Sequence, residues 1–526
     1  MNQPNFQFDP TRFRQTLAVL SSRPAWENLQ PPAPSDVYVP PMHVKALQPE
    51  VSVVDGMRGA GKSFWTAVLA DDQLRTLVAT AANSPQLAKA VVRVGFGLEL
   101  DNTQFPSASM IGGLLNNGCS PDTVWRSVLL RHALKAVGLS LPFQDGVQEA
   151  ASWVQQSPVQ ADQHLVQADR ELVAQGKTLL VLFDSVDRLA DDWGGVRDLL
   201  TAALKLGLEC RSRRAMRCKF FLRPDMIEED DRIWRFTDSS KLLHEKVELA
   251  WRPNDLFGLV FLNLANASDV GTDFRNAVTA GWPRATWREN NGVFTLPPEL
   301  TAEEQPTRGI VEALAGPWVG PTAKRGFTYK WIPSHLADAK GRLSPRIVLL
   351  AFKEAADWTC SHRPDHKLAL HYEGVQQGVV RASATRVDEM KEDYPWVGPL
   401  LAVMKGATVP LDMNELDGFW TEDCLGKALG KAQSEGRLPP RRYGGDSVGK
   451  GLLSALVDDL VELAVLYRTE DQRINMPDIF RVGFGIKRKG GVKPPRAYVL
   501  LSVHISAPVK EQYHDIEILA TLSSFL

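Results

Sequence analysis

The chain has 526 residues, 44% hydrophobic and 23% charged, ordinary for a globular protein and long enough for about three or four domains. Lys and Arg number 60 against 62 Asp and Glu, a net charge of −2, so no whole-chain field points to nucleic acid or membrane. The five cysteines are scattered without a CxxC pair, the N-terminus lacks the basic and apolar regions of a signal peptide, and no run of about eighteen apolar residues occurs. These features exclude a disulfide framework and a membrane span and predict a cytoplasmic protein.

Residues 1–45 read as an N-terminal arm or linker. A short amphipathic segment near Phe13–Leu20 precedes the proline-rich Pro31-Pro32-Ala33-Pro34 and Pro40-Pro41. A nucleotide-binding core over 46–250 then opens with the apolar run Val51–Val54. Gly56-Met57-Arg58-Gly59-Ala60-Gly61-Lys62-Ser63 follows and leads into the helix-like Phe64–Leu69. This is GxxxxGK[ST] between a predicted strand and a predicted helix, the context a phosphate loop requires. Glycines let backbone N–H groups wrap an anion, and the helix N-terminus adds the positive end of its dipole. Gly56, Arg58, Gly59, Ala60, Gly61, Lys62, Ser63 and Phe64 are therefore the expected ATP cradle. Lys62 faces the β/γ-phosphates and Ser63 ligates Mg²⁺.

Further strands are expected at Ala90–Phe96, Thr178–Phe183, Cys218–Leu222 and, more weakly, Lys246–Leu249, with a periodic helix over Asp122–Ala136. The alternation predicts an α/β fold with a parallel sheet. The buried-type strand at 178–183 ends in Asp184, the expected second Mg²⁺ ligand. Asp187, three places on, either positions the attacking water or pairs with Arg188 or caps the next helix. Arg223, at the tip of the following strand, is placed to read the γ-phosphate, with pairing to Asp225 as the alternative. Arg232 and Arg235 are candidates to act in trans on a neighbouring subunit.

A helical lid is predicted over 251–360. Leu256, Leu259, Val260, Leu262 and Leu264 give one apolar face, and a helix at Pro345–Trp358 is capped by Ser344. Arg346 in its first turn points either at the nucleotide or at solvent. Residues 361–526 read as a separate C-terminal region. Its periodic helix at Gly451–Leu466, then strand, turn and strand, suggests a winged-helix module over about 450–500. His362, His366 and His371, with Cys360, are spaced too loosely for a zinc site. The segment Phe480–Arg496 carries six basic residues and no acid, among them Arg481, Lys487, Arg488, Lys489 and Lys493. It serves either double-stranded DNA, a partner protein or plain solvation.

With these motifs the chain resembles the AAA+/STAND division of P-loop ATPases. Asp184-Ser185-Val186-Asp187-Arg188 is similar to the Walker B string of KAP-type NTPases, with Ser185 where an acid is expected. The resemblance implies that Lys62 and Ser63 bind phosphate and Mg²⁺, that Asp184 holds the metal, and that Arg223 and Arg346 are sensor arginines. It also implies a layout like that of origin-recognition ATPases, with anti-phage defence as one context. Slow hydrolysis is expected if Asp187 only pairs or caps, and a homo-oligomer is left open. The leading expectation is an ATPase acting as a conformational switch or remodeller for a partner protein or DNA. A DNA-binding regulator with a structural nucleotide site and a P-loop kinase are the alternatives.

Overall fold

The computed structural model describes residues 6–20, 31–97, 103–190, 192–227, 232–434 and 450–489. Its first helix, α1 (Pro10–Ala18), packs with the helical half of the molecule. Five strands, β1 (Val53–Asp55), β2 (Ala90–Phe96), β3 (Thr178–Phe183), β4 (Met216–Leu222) and β5 (Val247–Glu248), form one parallel sheet. The order is β2-β3-β4-β1-β5. Strand β3 explains why the sheet is covered on both faces. Leu179, Val181 and Phe183 enter one core while Leu180 and Leu182 enter another, so only Thr178 at its start is partly exposed. Helix α2 (Lys62–Ala70) packs on the second face. Helices α3 (Pro121–Val137), α4 (Pro158–Ala174) and α5 (Trp193–Arg211) pack on the first. The expected core strands and the 122–136 helix are all present.

A buried lysine fixes how the chain enters β1. Lys219 of β4 is fully enclosed, and its ammonium donates to the carbonyls of Ala46 at 2.7 Å, Gln48 at 3.0 Å and Val51 at 2.6 Å. An ammonium has three protons, and here each has a carbonyl. His43 adds a second tie. Its Nδ1 accepts from the Trp65 indole at 3.1 Å, which leaves Nε2–H to donate to Ala250 at 3.1 Å. Burial pushes its pKa down to about 4, consistent with a neutral ring in that role.

The lid contains α6 (Pro253–Asn266) and a helical hairpin of α7 (Pro345–His362) and α8 (Tyr372–Asp393). The hairpin is close because Gly378 has no side chain: a Cβ there would lie 2.2 Å from the Ala351 carbonyl. Two expectations change at this point. Residues 10–18 are not a free arm, because Phe13 and Leu17 bury against Phe274 and the lid helices. Nor does a module begin near 361, because the polar turn between α7 and α8 is held inside the lid. Arg14, itself buried, donates to the carbonyls of Pro364 at 2.5 Å, His366 at 2.9 Å, Leu368 at 2.8 Å and Ala369 at 2.9 Å. His371 caps α8 through Nδ1, and His362 stacks on Trp358.

Beyond α8, β6 (Thr408–Val409) precedes α9 (Lys450–Glu462) and the antiparallel pair β7 (Tyr467–Arg468) and β8 (Ile474–Asn475). Helix α10 (Asp478–Gly483) and β9 (Lys487–Arg488) follow, and β9 pairs with β6 in parallel. Helix α9, β7, a turn and β8 run in the expected order, and Leu411 bridges Ile474 of β8.

Replacing Lys219 by Met should remove three hydrogen bonds and strand the buried carbonyls of Ala46 and Val51, while Gln48 keeps the Val51 N–H, lowering unfolding free energy by about 3 kcal/mol in denaturant titration. A loss below about 0.5 kcal/mol would mean that the entry segment 46–51 is held by other contacts.

Candidate functional site

The sheet order sets the tips of β1, β4 and β3 side by side at the carboxyl edge, where parallel sheets bind ligands. From β1 the chain passes through the loop 56–61 into α2. Gly59 and Gly61 carry φ of +78° and +108°, a conformation side chains resist, so these two positions need glycine. The Lys62 ammonium turns into the loop and donates to Gly56 at 2.5 Å and Met57 at 3.1 Å. Burial lowers its pKa to about 8, opposed by the nearby Asp184 carboxylate. The ring of Phe64 packs against Trp65 in the core, so any phosphate contact it makes is through its backbone.

Asp184 follows β3 and is 1% exposed. Its backbone N–H donates to Phe96 at 3.0 Å, and its carboxylate accepts from the Ser63 hydroxyl. Burial raises its pKa, while the Ser63 hydrogen bond and Lys62 pull the other way. A hydroxyl beside a buried carboxylate is the oxygen donor set a hard cation such as Mg²⁺ takes. Ser185 adopts a left-handed conformation with φ of +54°. Its Oγ turns back to donate to Asp184 at 3.3 Å.

The arginines define the rest of the site. Arg223 at the tip of β4 donates to both oxygens of Asp225, at 3.2 and 2.9 Å, to Asp187 at 3.3 Å and to the Tyr394 hydroxyl at 3.0 Å. Burial would raise the pKa of Asp225, but Arg223 holds it below the usual range. Asp187 thus meets Arg223, not Arg188. Arg346, in the first turn of α7, pairs with Glu389 at 2.9 Å. Arg58 leaves the phosphate loop and reaches Asp393 and Glu392, each at 2.6 Å, and the Glu389 carbonyl at 3.1 Å. The structure therefore brings Lys62, Ser63, Asp184, Asp187 and Arg223 together. It joins them to Arg58 and Arg346 through the C-terminal end of α8.

The lid touches the loop directly. Ser344 Oγ donates to the Gly59 carbonyl at 3.3 Å, and the Trp251 indole donates to Ala60 at 2.8 Å. A Cβ on Gly59 would stand 2.4 Å from Ser344 Oγ.

Sequence reasoning missed Glu389, Glu392, Asp393 and Tyr394. The acid-rich string Asp388-Glu389-Met390-Lys391-Glu392-Asp393 was a visible signal, but its partners lie far away in the chain. Of the basic residues near the C-terminus, Arg481 and Arg488 both pair with buried Asp478, at 2.7 and 2.8 Å, so they support the local fold. His335 lies 3.3 Å from the same carboxylate. Lys487 and Lys489 are exposed, and Lys493 lies outside the described residues. So does the side chain of Arg232, while Arg235 is exposed.

Fold and site together define an α/β protein with a phosphate-loop core beneath a helical lid. No protein-family model matches the chain, and no curated protein matches it. Among solved structures it is similar to the ORC2 protein of Aeropyrum pernix, described as ADPNP–ADP complexes, at 12% identity and a TM-score of 0.29. The alignment covers 86% of this chain and 98% of that one. Likeness at this level is weak, and the chemistry of the site rests on its own geometry.

The low pKa of Lys62 gives a pH prediction with a definite sign. Above about 8 the free protein loses the Lys62 charge, so binding of a phosphate-bearing ligand such as ATP in this loop is expected to take up a proton and to weaken as pH rises from 8 to 10. Calorimetric titration in buffers of different ionisation enthalpy reads this uptake directly. An affinity that stays flat across that range would contradict it.

Proposed function

We propose that this chain binds ATP with Mg²⁺ and hydrolyses it slowly. The nucleotide state sets the position of α8, and α8 drives the C-terminal elements that act on a partner protein or DNA. One observation carries this reading: Arg58, Arg223 and Arg346, from three different elements, all meet groups on the last turns of α8 or just beyond it. Phosphate oxygens offer guanidinium the same bidentate acceptors as carboxylates do. ATP and α8 therefore compete for these arginines.

In this mechanism the loop from Gly56 to Phe64 and the Lys62 ammonium hold the β/γ-phosphates. Ser63 and Asp184 hold Mg²⁺, which neutralises charge on those phosphates. Arg223 and Arg346 turn from carboxylates to the γ-phosphate, and Asp187, once released from Arg223, orients water for attack. Ser185 supplies no acid beside Asp184, which favours slow turnover. Movement of α8 has a mechanical outlet. A Cβ on Gly483 of α10 would lie 2.7 Å from the Ser383 carbonyl, and Arg386, paired with Glu389 at 3.0 Å, sits over the Phe480 ring at 5.8 Å. The order of α9, β7 and β8, with β6 and β9 alongside, supports a winged-helix reading of this region. An AAA+/STAND-type switch is the class that accommodates all these parts.

A DNA-binding regulator is the second reading, favoured by the exposed Lys487 and Lys489. ATP turnover by wild type, Lys62→Ala, Asp184→Asn and Asp187→Asn, with and without double-stranded DNA, separates the two. Lys62→Ala should abolish measurable binding, and Asp184→Asn should cut turnover about 100-fold or more, the scale of lost transition-state electrostatics. DNA binding indifferent to nucleotide and to Lys62→Ala would instead assign a regulator. Turnover that requires an added acceptor would assign a kinase.

Competition between α8 and phosphate makes a second prediction. Asp393→Asn removes a carboxylate shared by Arg58 and Arg223, and should tighten binding of a non-hydrolysable ATP analogue about tenfold, roughly 1.4 kcal/mol. Equal or weaker binding would show that the acid supports the nucleotide-ready geometry instead of opposing it.

A further inference from the structure

Helix α4 buries Ala161, Leu165, Ala168 and Leu172 against the core and carries a line of three valines among polar residues on its outer side. Val159, Val166 and Val173 are 65%, 41% and 43% exposed, three of the nine large exposed hydrophobics among the described residues. Their seven-residue spacing sets them in one line about 21 Å long. β-branched residues are poor choices for a solvated helix surface, having neither good helix propensity nor affinity for water. Asp162, Gln163, Gln167 and Arg170 flank the line and complete a shallow groove.

We infer that this face binds a second copy of the chain, α4 against α4 antiparallel, about a two-fold axis at Val166. The pattern is self-complementary about that residue. Val159 and Val173 lie seven positions to either side, so each meets the other's counterpart. Asp162 and Arg170 lie four positions to either side, so opposite charges meet twice. Arg170 is exposed and pairs with no carboxylate among the described residues. Asp162 pairs with Arg126 and keeps 59% of its side chain exposed, leaving oxygen for a second guanidinium. A C₂ contact requires this symmetry of i with j and j with i. One helix pair buries on the order of 1,000 Å², the low end for specific association, so a Kd near 10 µM is expected.

Sedimentation of the full chain from about 1 to 100 µM should show a monomer–dimer equilibrium. Val166→Glu, which sets two carboxylates face to face, should weaken it at least tenfold while circular dichroism stays unchanged. Cysteine variants read the register independently of that substitution. Under mild oxidation Val166→Cys should cross-link to itself, Val159→Cys alone should not, and a mixture of Val159→Cys with Val173→Cys should. A monomer at 100 µM, a dimer unaffected by Val166→Glu, or self-cross-linking of Val159→Cys would each overturn the inference.

Discussion

The architecture turns on how three guanidinium groups are held. At the C-terminal end of α8, Glu389, Glu392 and Asp393 hold arginines from the phosphate loop and the lid, and Asp393 and Tyr394 lie against the arginine of β4. Partly buried carboxylates are tolerable only with such partners, and the burial that raises the pKa of Asp393 is opposed by Arg223 and Arg58. The same enclosure makes each arginine costly to leave unpaired. A ligand can therefore displace the acids only if it supplies anionic oxygens of its own, and this sets the kind of ligand the cleft admits.

Everything else in the core serves to hold those groups in register. Lys219 fixes the entry to β1, His43 ties the segment before it to α2 and the end of β5, and Trp251 and Ser344 bring the lid onto the loop carbonyls. Apart from the Trp65–His43 bond, these contacts are hydrogen bonds to backbone; all are directional and fail if an element shifts by about an ångström. The phosphate loop is thus framed on both sides, by the sheet below and by α7 and Trp251 above.

Local chemistry was legible in the sequence. The loop 56–63, the strands leading to Asp184 and Arg223, and the proline-led start of α7 follow from short-range rules on periodicity and glycine, but the Ser344 hydroxyl expected to cap α7 makes no cap bond and donates to the Gly59 carbonyl instead. Long-range pairing was not legible. Arg14 looked like one charge on a short amphipathic stretch, yet its carbonyl partners lie about 350 residues on. The string His362-Arg363-Pro364-Asp365 has the polarity of a linker and serves as the turn of a hairpin. Arg58 reads as part of the nucleotide cradle, but its guanidinium reaches α8. Arg481 and Arg488 look like a cationic surface until Asp478 is seen beneath them. For Arg14 and Arg58 the partners lie hundreds of residues away, whereas Asp478 is only three residues from Arg481 and what the sequence hides is its burial.

The left-handed turn at Ser185 also bears on how the chain could change over generations. A side chain at φ +54° carries a penalty of about 1–2 kcal/mol that glycine avoids and that asparagine or aspartate tolerates better than longer residues do. A glutamate is therefore among the harder residues to install there without remaking the backbone after β3. Single substitutions at 185 that keep the turn lead to glycine or short polar side chains. The residue that follows Asp184 is thus constrained by a backbone torsion as well as by the chemistry of the cleft.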